Sequence, residues 1–99
     1  MPDTRHVVFH RHGPRCQPDK GQVEQEGLAE HVAHYRQLHA AGKLALGGPH
    51  PDGHAGGMMV PVEGAPEAEI TAFAAADPGV LSGLLVAAVR PWLIGMPVG

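Results

Sequence analysis

The sequence lacks the features that mark several common classes of protein. It has one cysteine, Cys16, in 99 residues, which excludes an internal disulfide and any cysteine-rich zinc site. Its formal net charge is −3, so it has no basic excess of the kind that binds DNA or RNA. Its longest apolar run, 84–89, is far below the roughly 20 residues of a membrane-spanning helix. We therefore expect no nucleic-acid partner and no membrane span.

Further absences limit the chemistry. The histidines do not follow the tight helical spacing HExxH of zinc proteases, and the glycines near 47 and 56 do not join a strand to a helix as a phosphate-binding loop does. The first residues, MPDTRH, have no apolar core of a signal peptide, so we expect a cytoplasmic protein. Eight histidines are nevertheless present. Their spacing leads us to expect no bound metal and no cofactor.

One stretch, 28–49, predicts a helix followed by its stop and a strand. A helix over 28–41 is predicted because four residues recur at helical spacing and form a stripe: Leu28, Val32, Tyr35 and His39. His31 is predicted at the border of this buried stripe, and His34 on the solvent side. Gly42 predicts the helix end, 43–46 a strand, and the Gly-Gly-Pro sequence at 47–49 a break.

The remaining segments complete a β-α-β-β-α-β order. The pattern predicts strands over 5–10, 58–62 and 84–92, a loop over 11–27, a wide hairpin loop over 47–57 and a second helix from Ala65 to about Asp77. This order is typical of a single α+β domain, 1–99, with a ferredoxin-like four-stranded antiparallel sheet and two helices on one face. The first and last strands carry apolar residues on both faces, so we expect a homodimer that covers the open face.

Asp77 stands out because it follows the apolar residues of the second helix. A carboxylate near a helix C-terminus is unfavourable and needs a partner, for which a protonated His31 is suitable. Asp77 followed by Pro78 is also the signature of the first residues of a short helix. Three interpretations stay open at this point: a cap alone, a cap with a role in a site, or a site role alone.

The predicted topology brings the ionisable residues to one end of the sheet. Six of them are expected there: His10, His12, His31, Asp52, His54 and Asp77. Convergent polar groups beside an apolar pocket indicate a ligand site. Arg11 in the following loop is a further candidate, since a guanidinium can hold an anionic group.

The segments EHVAHYRQLHAAGKLALGGP, Asp77-Pro78 and VRPW resemble the YCII-related, or YciI-like, family of the dimeric α+β barrel superfamily, over about 6–92. The resemblance implies a ferredoxin-like subunit, a homodimer through the sheets and a pocket with a His-Asp pair, which falls here on His31 and an aspartate. Some relatives are small-molecule enzymes, including one that dehydrochlorinates a chlorinated aromatic diol. The long loop before the first helix and the surplus histidines depart from the family pattern.

These observations together predict a lyase- or isomerase-type enzyme acting by acid/base chemistry on a small cyclic or aromatic compound. His31 is expected to move the proton, with Asp77 or Asp52 as its partner. The residues expected to contact substrate are His10, Arg11, His12, Gly48, Pro49 and His54. The alternatives are a non-catalytic metabolite-binding or accessory dimer and a purely structural dimer.

Overall fold

The computed structural model describes residues 3–16, 27–51 and 56–97. In these ranges the chain forms seven elements: β1 (Asp3–His12), α1 (Leu28–Ala40), β2 (Leu44–Pro49), β3 (Gly57–Pro61), α2 (Glu67–Ala75), α3 (Pro78–Leu81) and β4 (Leu85–Ile94). The strands form one sheet in the order β2-β3-β1-β4, and all neighbours are antiparallel. The predicted ferredoxin-like α+β architecture is confirmed.

β1 is a central strand, and its alternation decides which side chains face the helices. Val8 packs with the helical core residues and His10 contacts Tyr35, while Phe9 points to the other side of the sheet. The strand continues to His12, paired with Leu85 of β4, so the predicted loop start at 11 is wrong. The first stop that the sequence offers is Gly13-Pro14, because a polar residue keeps its backbone N–H for pairing while a proline has none to donate.

α1 ends as predicted at a glycine. Gly42 has φ +78°, its N–H donates to the carbonyl of His39, and the N–H of Lys43 donates to that of Leu38. This is the Schellman arrangement, which satisfies carbonyls that the helix leaves unpaired. The buried face differs from the prediction.

The residues of α1 that are buried are His31, Tyr35 and Leu38. Val32 and His39 are exposed, so the expectation that they are buried is wrong. His31 therefore lies within the buried face and not at its border. His34 is half-buried and stacks on Phe73 of α2, so its predicted place in solvent is also wrong.

β2 runs through the Gly-Gly-Pro sequence that was predicted to break it. Gly48 pairs with Met58, and Pro49 pairs with Gly57 of β3. A proline is tolerated because β2 is an edge strand. Gly57 permits the close approach, since a Cβ there would collide with the backbone of Gly48 and Pro49. The connection between β2 and β3 is therefore shorter than the predicted loop over 47–57.

The helices pack on one face of the sheet. α2 contacts β1 and β4, and α1 contacts β2 and α3. Their shared core contains Val8, Tyr35, Leu38, Leu44, Ile70 and Ala74. The short helix α3 starts at Pro78, one residue after Asp77, and this places both residues against α1.

The other face of the sheet has no helix on it within the described part of the chain. Phe9 is 38% exposed and Trp92 is 47% exposed, and both lie on this side by the alternation of β1 and its register with β4. Among the described residues, no helix is long and apolar enough to span a membrane.

Candidate active site

The centre of the site is a contact between a histidine of α1 and the aspartate that precedes α3. His31 Nδ1 lies 2.5 Å from Asp77 Oδ2. Asp77 is 0% exposed and His31 is buried. Because the carboxylate can only accept, Nδ1 carries the hydrogen and donates it. The other ring nitrogen, Nε2, then holds the lone pair with which an imidazole acts as a base.

The second oxygen of Asp77 caps α3. Oδ1 accepts the N–H of Gly79 at 2.8 Å, which is the N-cap geometry predicted from the Asp-Pro sequence. One carboxylate thus contacts both His31 and the start of α3, so the cap that was predicted is present together with a second contact. Gly79 makes this possible, since a Cβ there would lie 3.0 Å from the Cβ of His31.

A second buried imidazole lies beside the first. The rings of His10 and His31 are perpendicular, with centroids 4.8 Å apart. His10 Nε2 is 3.6 Å from Asp77 Oδ2 and 3.4 Å from the hydroxyl of Tyr35. His10 Nδ1 is buried and has no hydrogen-bond partner among the described residues.

Burial sets the protonation of His10 and Tyr35. It lowers the pKa of His10 to about 4, with a further lowering from His31 and a smaller opposing effect of Asp77. Burial also raises the pKa of Tyr35, and the negative charge of Asp77 adds to this rise. Both side chains are therefore neutral at pH 7.

A cavity of about 820 Å³ opens beside these groups, between α1 and β2. His10, His31 and Tyr35 form part of its wall. Its apolar lining comes from Leu28, Val32, Leu44, Leu46, Met59 and Leu85. Arg36 also lines it, whereas none of the described lining residues is acidic. An apolar pocket with a few polar groups at one end suits a small ring compound.

The residues predicted from the sequence fall into three groups. Four of them line the cavity: His10, His31, Gly48 and Pro49. Asp77 does not line it but accepts a hydrogen bond from His31. Arg11 and His12 are exposed at the end of β1 and are not part of the cavity wall. Asp52 and His54 lie outside the described residues.

Sequence reasoning missed several lining residues as parts of a site, and four of them are polar: Tyr35, Arg36, His39 and His50. Tyr35 was predicted only as a core residue and Arg36 was not considered. Tyr35 follows His31 by four residues, which is one helical turn on the same face, so the spacing itself contained the signal.

His10, His31 and Asp77 offer three potential metal ligands within 4.8 Å of one another. Two ligands of one tetrahedral zinc ion lie about 3.3 Å apart, given bonds of roughly 2.0–2.1 Å. The 2.5 Å between His31 Nδ1 and Asp77 Oδ2 is too short for that. The geometry of this pair is therefore that of a short hydrogen bond between the imidazole and the carboxylate.

The sequence profile of the YCII-related domain matches residues 4–93. The chain belongs to the YCII-related domain family. Among solved structures, it is similar to 5-chloro-2-hydroxyhydroquinone dehydrochlorinase (TftG) from Burkholderia phenoliruptrix AC1100, in complex with 2,5-dihydroxybenzoquinone. The two are 26% identical with a TM-score of 0.60, over 91% of this chain and 95% of that one. No curated protein matches the sequence of this YCII-related chain.

Proposed function

We propose that this YCII-related protein is a lyase- or isomerase-type enzyme that moves a proton on a small cyclic or aromatic compound. His31 is the acid/base group, and Asp77 orients it. The observation that carries the proposal is the 2.5 Å contact between His31 Nδ1 and Asp77 Oδ2 at the wall of an apolar cavity. A base held in one tautomer by a buried carboxylate is the arrangement that general base catalysis uses.

The proposed reaction begins with a proton transfer to His31. His31 Nε2 takes a proton from a hydroxyl group or ring carbon, and the electron pair of the broken bond stays on the substrate. In an elimination from an aromatic ring, His31 returns this proton to the carbon that carries the leaving group. Removal of a second hydroxyl proton then expels the leaving group as an anion, and His31 gives that second proton to solvent. In an isomerisation His31 returns the proton to a different atom. Asp77 stabilises the imidazolium that exists between these steps.

The comparison favours the same class of chemistry. The similar solved protein is a dehydrochlorinase named for a chlorinated hydroxyhydroquinone, and its structure holds a dihydroxybenzoquinone. The cavity of about 820 Å³ has room for one such ring. We accordingly propose ring compounds with oxygen substituents as the first substrates to test.

The test measures chloride release from 5-chloro-2-hydroxyhydroquinone. We expect release by the wild type and a rate reduced by a factor on the order of 10²–10⁴ in His31→Gln, because the general base is lost. The matched control is His6→Gln, since His6 lies on the same strand as His10 but does not line the cavity. Its rate should equal that of the wild type.

Equal rates in the wild type and His31→Gln would contradict the proposal. No chloride release by the wild type, together with binding of 2,5-dihydroxybenzoquinone, would favour the second candidate, a metabolite-binding module. This candidate is supported by the cavity itself, which would hold a ring compound whether or not it reacts.

We also propose that two copies of the chain pair through the open face of the sheet. Phe9 and Trp92 are large apolar residues that this face exposes, and burying them in a symmetric contact removes them from water. Sedimentation at micromolar concentration should give twice the 10.3 kDa of one chain. Phe9→Lys should shift the protein to 10.3 kDa, whereas a wild type of that mass would count against the dimer.

A further inference from the structure

The pair formed by His10 and Tyr35 is not used by the proton transfer described above. Both side chains are buried, at 6% and 3% exposure, and both line the cavity. Burying polar groups costs free energy unless each finds a hydrogen-bond partner. A buried polar pair at the wall of a cavity therefore needs an explanation.

The number of donor hydrogens in this pair provides the explanation. Neutral His10 has one N–H and Tyr35 has one O–H, so the pair carries two donor hydrogens. The single contact between them, 3.4 Å from His10 Nε2 to the Tyr35 hydroxyl, uses one. In one tautomer Tyr35 donates to Nε2, and the N–H is left at Nδ1, which has no partner among the described residues. In the other tautomer His10 donates from Nε2, and the O–H of Tyr35 is left.

The second tautomer is the better one for two reasons. The large majority of buried side-chain polar atoms in folded proteins have a hydrogen-bond partner, and this tautomer leaves no N–H of His10 without one. It also turns the His10 Nε2–H towards the carboxylate of Asp77, 3.6 Å away. The O–H of Tyr35 is then free to donate to a ligand in the cavity that Tyr35 lines.

We propose that the Tyr35 hydroxyl, positioned by His10, donates a hydrogen bond to the ring oxygen of the substrate on which negative charge develops. This inference rests on the proposed function. When His31 Nε2 takes the proton, the electron pair left on the substrate delocalises to that oxygen, and Tyr35 keeps its own proton while its hydrogen bond strengthens. Tyr35 is the residue that touches substrate, and His10 is a positioning residue.

The placement in the fold supports this division of roles. Tyr35 follows His31 by one helical turn of α1, so both reach the same ligand from one helix face. Their ring centroids are 5.4 Å apart. The raised pKa of Tyr35 and the lowered pKa of His10 keep both neutral across the physiological range.

The experiment measures binding of 2,5-dihydroxybenzoquinone to the intact chain by its visible absorbance. This probe carries anionic ring oxygens at neutral pH. Tyr35→Phe removes only the hydroxyl and should weaken binding by about 10- to 100-fold, as expected for a hydrogen bond to a charged oxygen. His10→Phe should weaken binding to a smaller extent, and the double variant should bind no more weakly than Tyr35→Phe alone.

A purely structural role would behave differently. It would change the melting temperatures of these variants and leave the dissociation constant of the folded protein unchanged, and that result would overturn the inference. A wild type that does not bind the probe would overturn it as well. His6→Phe, on the same strand as His10 but outside the cavity wall, is the matched control for His10→Phe and should bind like the wild type.

The binding experiment and the chloride-release test of the proposed reaction can fail independently, because binding requires no turnover. Binding that depends on Tyr35, together with equal chloride release by the wild type and His31→Gln, would refute the role of His31 and retain the oxygen contact. Loss of chloride release in His31→Gln, with no effect of Tyr35→Phe on binding, would support the role of His31 and refute the oxygen contact of Tyr35.

Discussion

Asp77→Ala is expected to lower the free energy of unfolding by about 3 kcal/mol. The substitution leaves two buried donors without an acceptor, the N–H of Gly79 and Nδ1–H of His31, at roughly 1–3 kcal/mol each. Urea denaturation monitored by circular dichroism measures the loss. A variant as stable as the wild type would mean that Asp77 holds neither α3 nor His31.

Asp77→Asn separates the two functions of this side chain. Asparagine caps helices about as well as aspartate, so α3 should be retained and stability should fall much less. The amide oxygen must face the N–H of Gly79, and this turns the amide nitrogen towards His31. That nitrogen donates to Nδ1 and forces the ring hydrogen onto Nε2, where the base is needed.

Chloride release by Asp77→Asn should accordingly fall by a factor on the order of 10²–10⁴, although the protein remains folded. A retained fold together with a reduced rate is specific to a His-Asp acid/base pair. If the variant kept both its stability and its rate, Asp77 would be only a helix cap.

Acid should destabilise the protein through His10. Its pKa is about 4 in the folded chain and 6.5 in the unfolded one, so the unfolded state binds more protons between these values. The stabilisation from neutral His10 is complete above about pH 6.5 and is lost as the pH falls towards 4. The loss is on the order of 3 kcal/mol at pH 4.

Urea denaturation at pH 7 and pH 4 measures this loss, and His10→Gln is the comparison because glutamine does not titrate. The wild type should lose more stability than His10→Gln between the two conditions. An equal loss in both proteins would assign the acid sensitivity to other groups and would refute burial of neutral His10.

The element order was predictable because each element has local signals. Gly42 ends α1 by a backbone conformation that only a few residues adopt easily, and Asp77-Pro78 begins α3 by capping. The helix face was not predictable in the same way. Hydrophobic periodicity predicts that Val32 is buried and His31 peripheral. His31 is buried instead, because Asp77, which precedes α3, accepts a hydrogen bond from it.

Two further differences have tertiary causes. The extension of β2 through Pro49 depends on its place at the sheet edge and on the missing side chain of Gly57. The contact of His10 with Tyr35 joins β1 to α1, and no local pattern of either segment contains it. Single-sequence reasoning found three members of the cluster, His10, His31 and Asp77, and missed the tyrosine that completes it.

The pairing of His31 with Asp77 has a consequence for how the protein folds. The two residues are 46 positions apart in the chain, and His10 and Tyr35 are 25 apart. Closing such loops costs chain entropy before any contact compensates for it, and contacts at large sequence separation slow folding. Individual helices can form early without bringing any of these four side chains together. The site therefore exists only once β1, α1 and α3 have docked, and no folding intermediate that lacks one of them contains it.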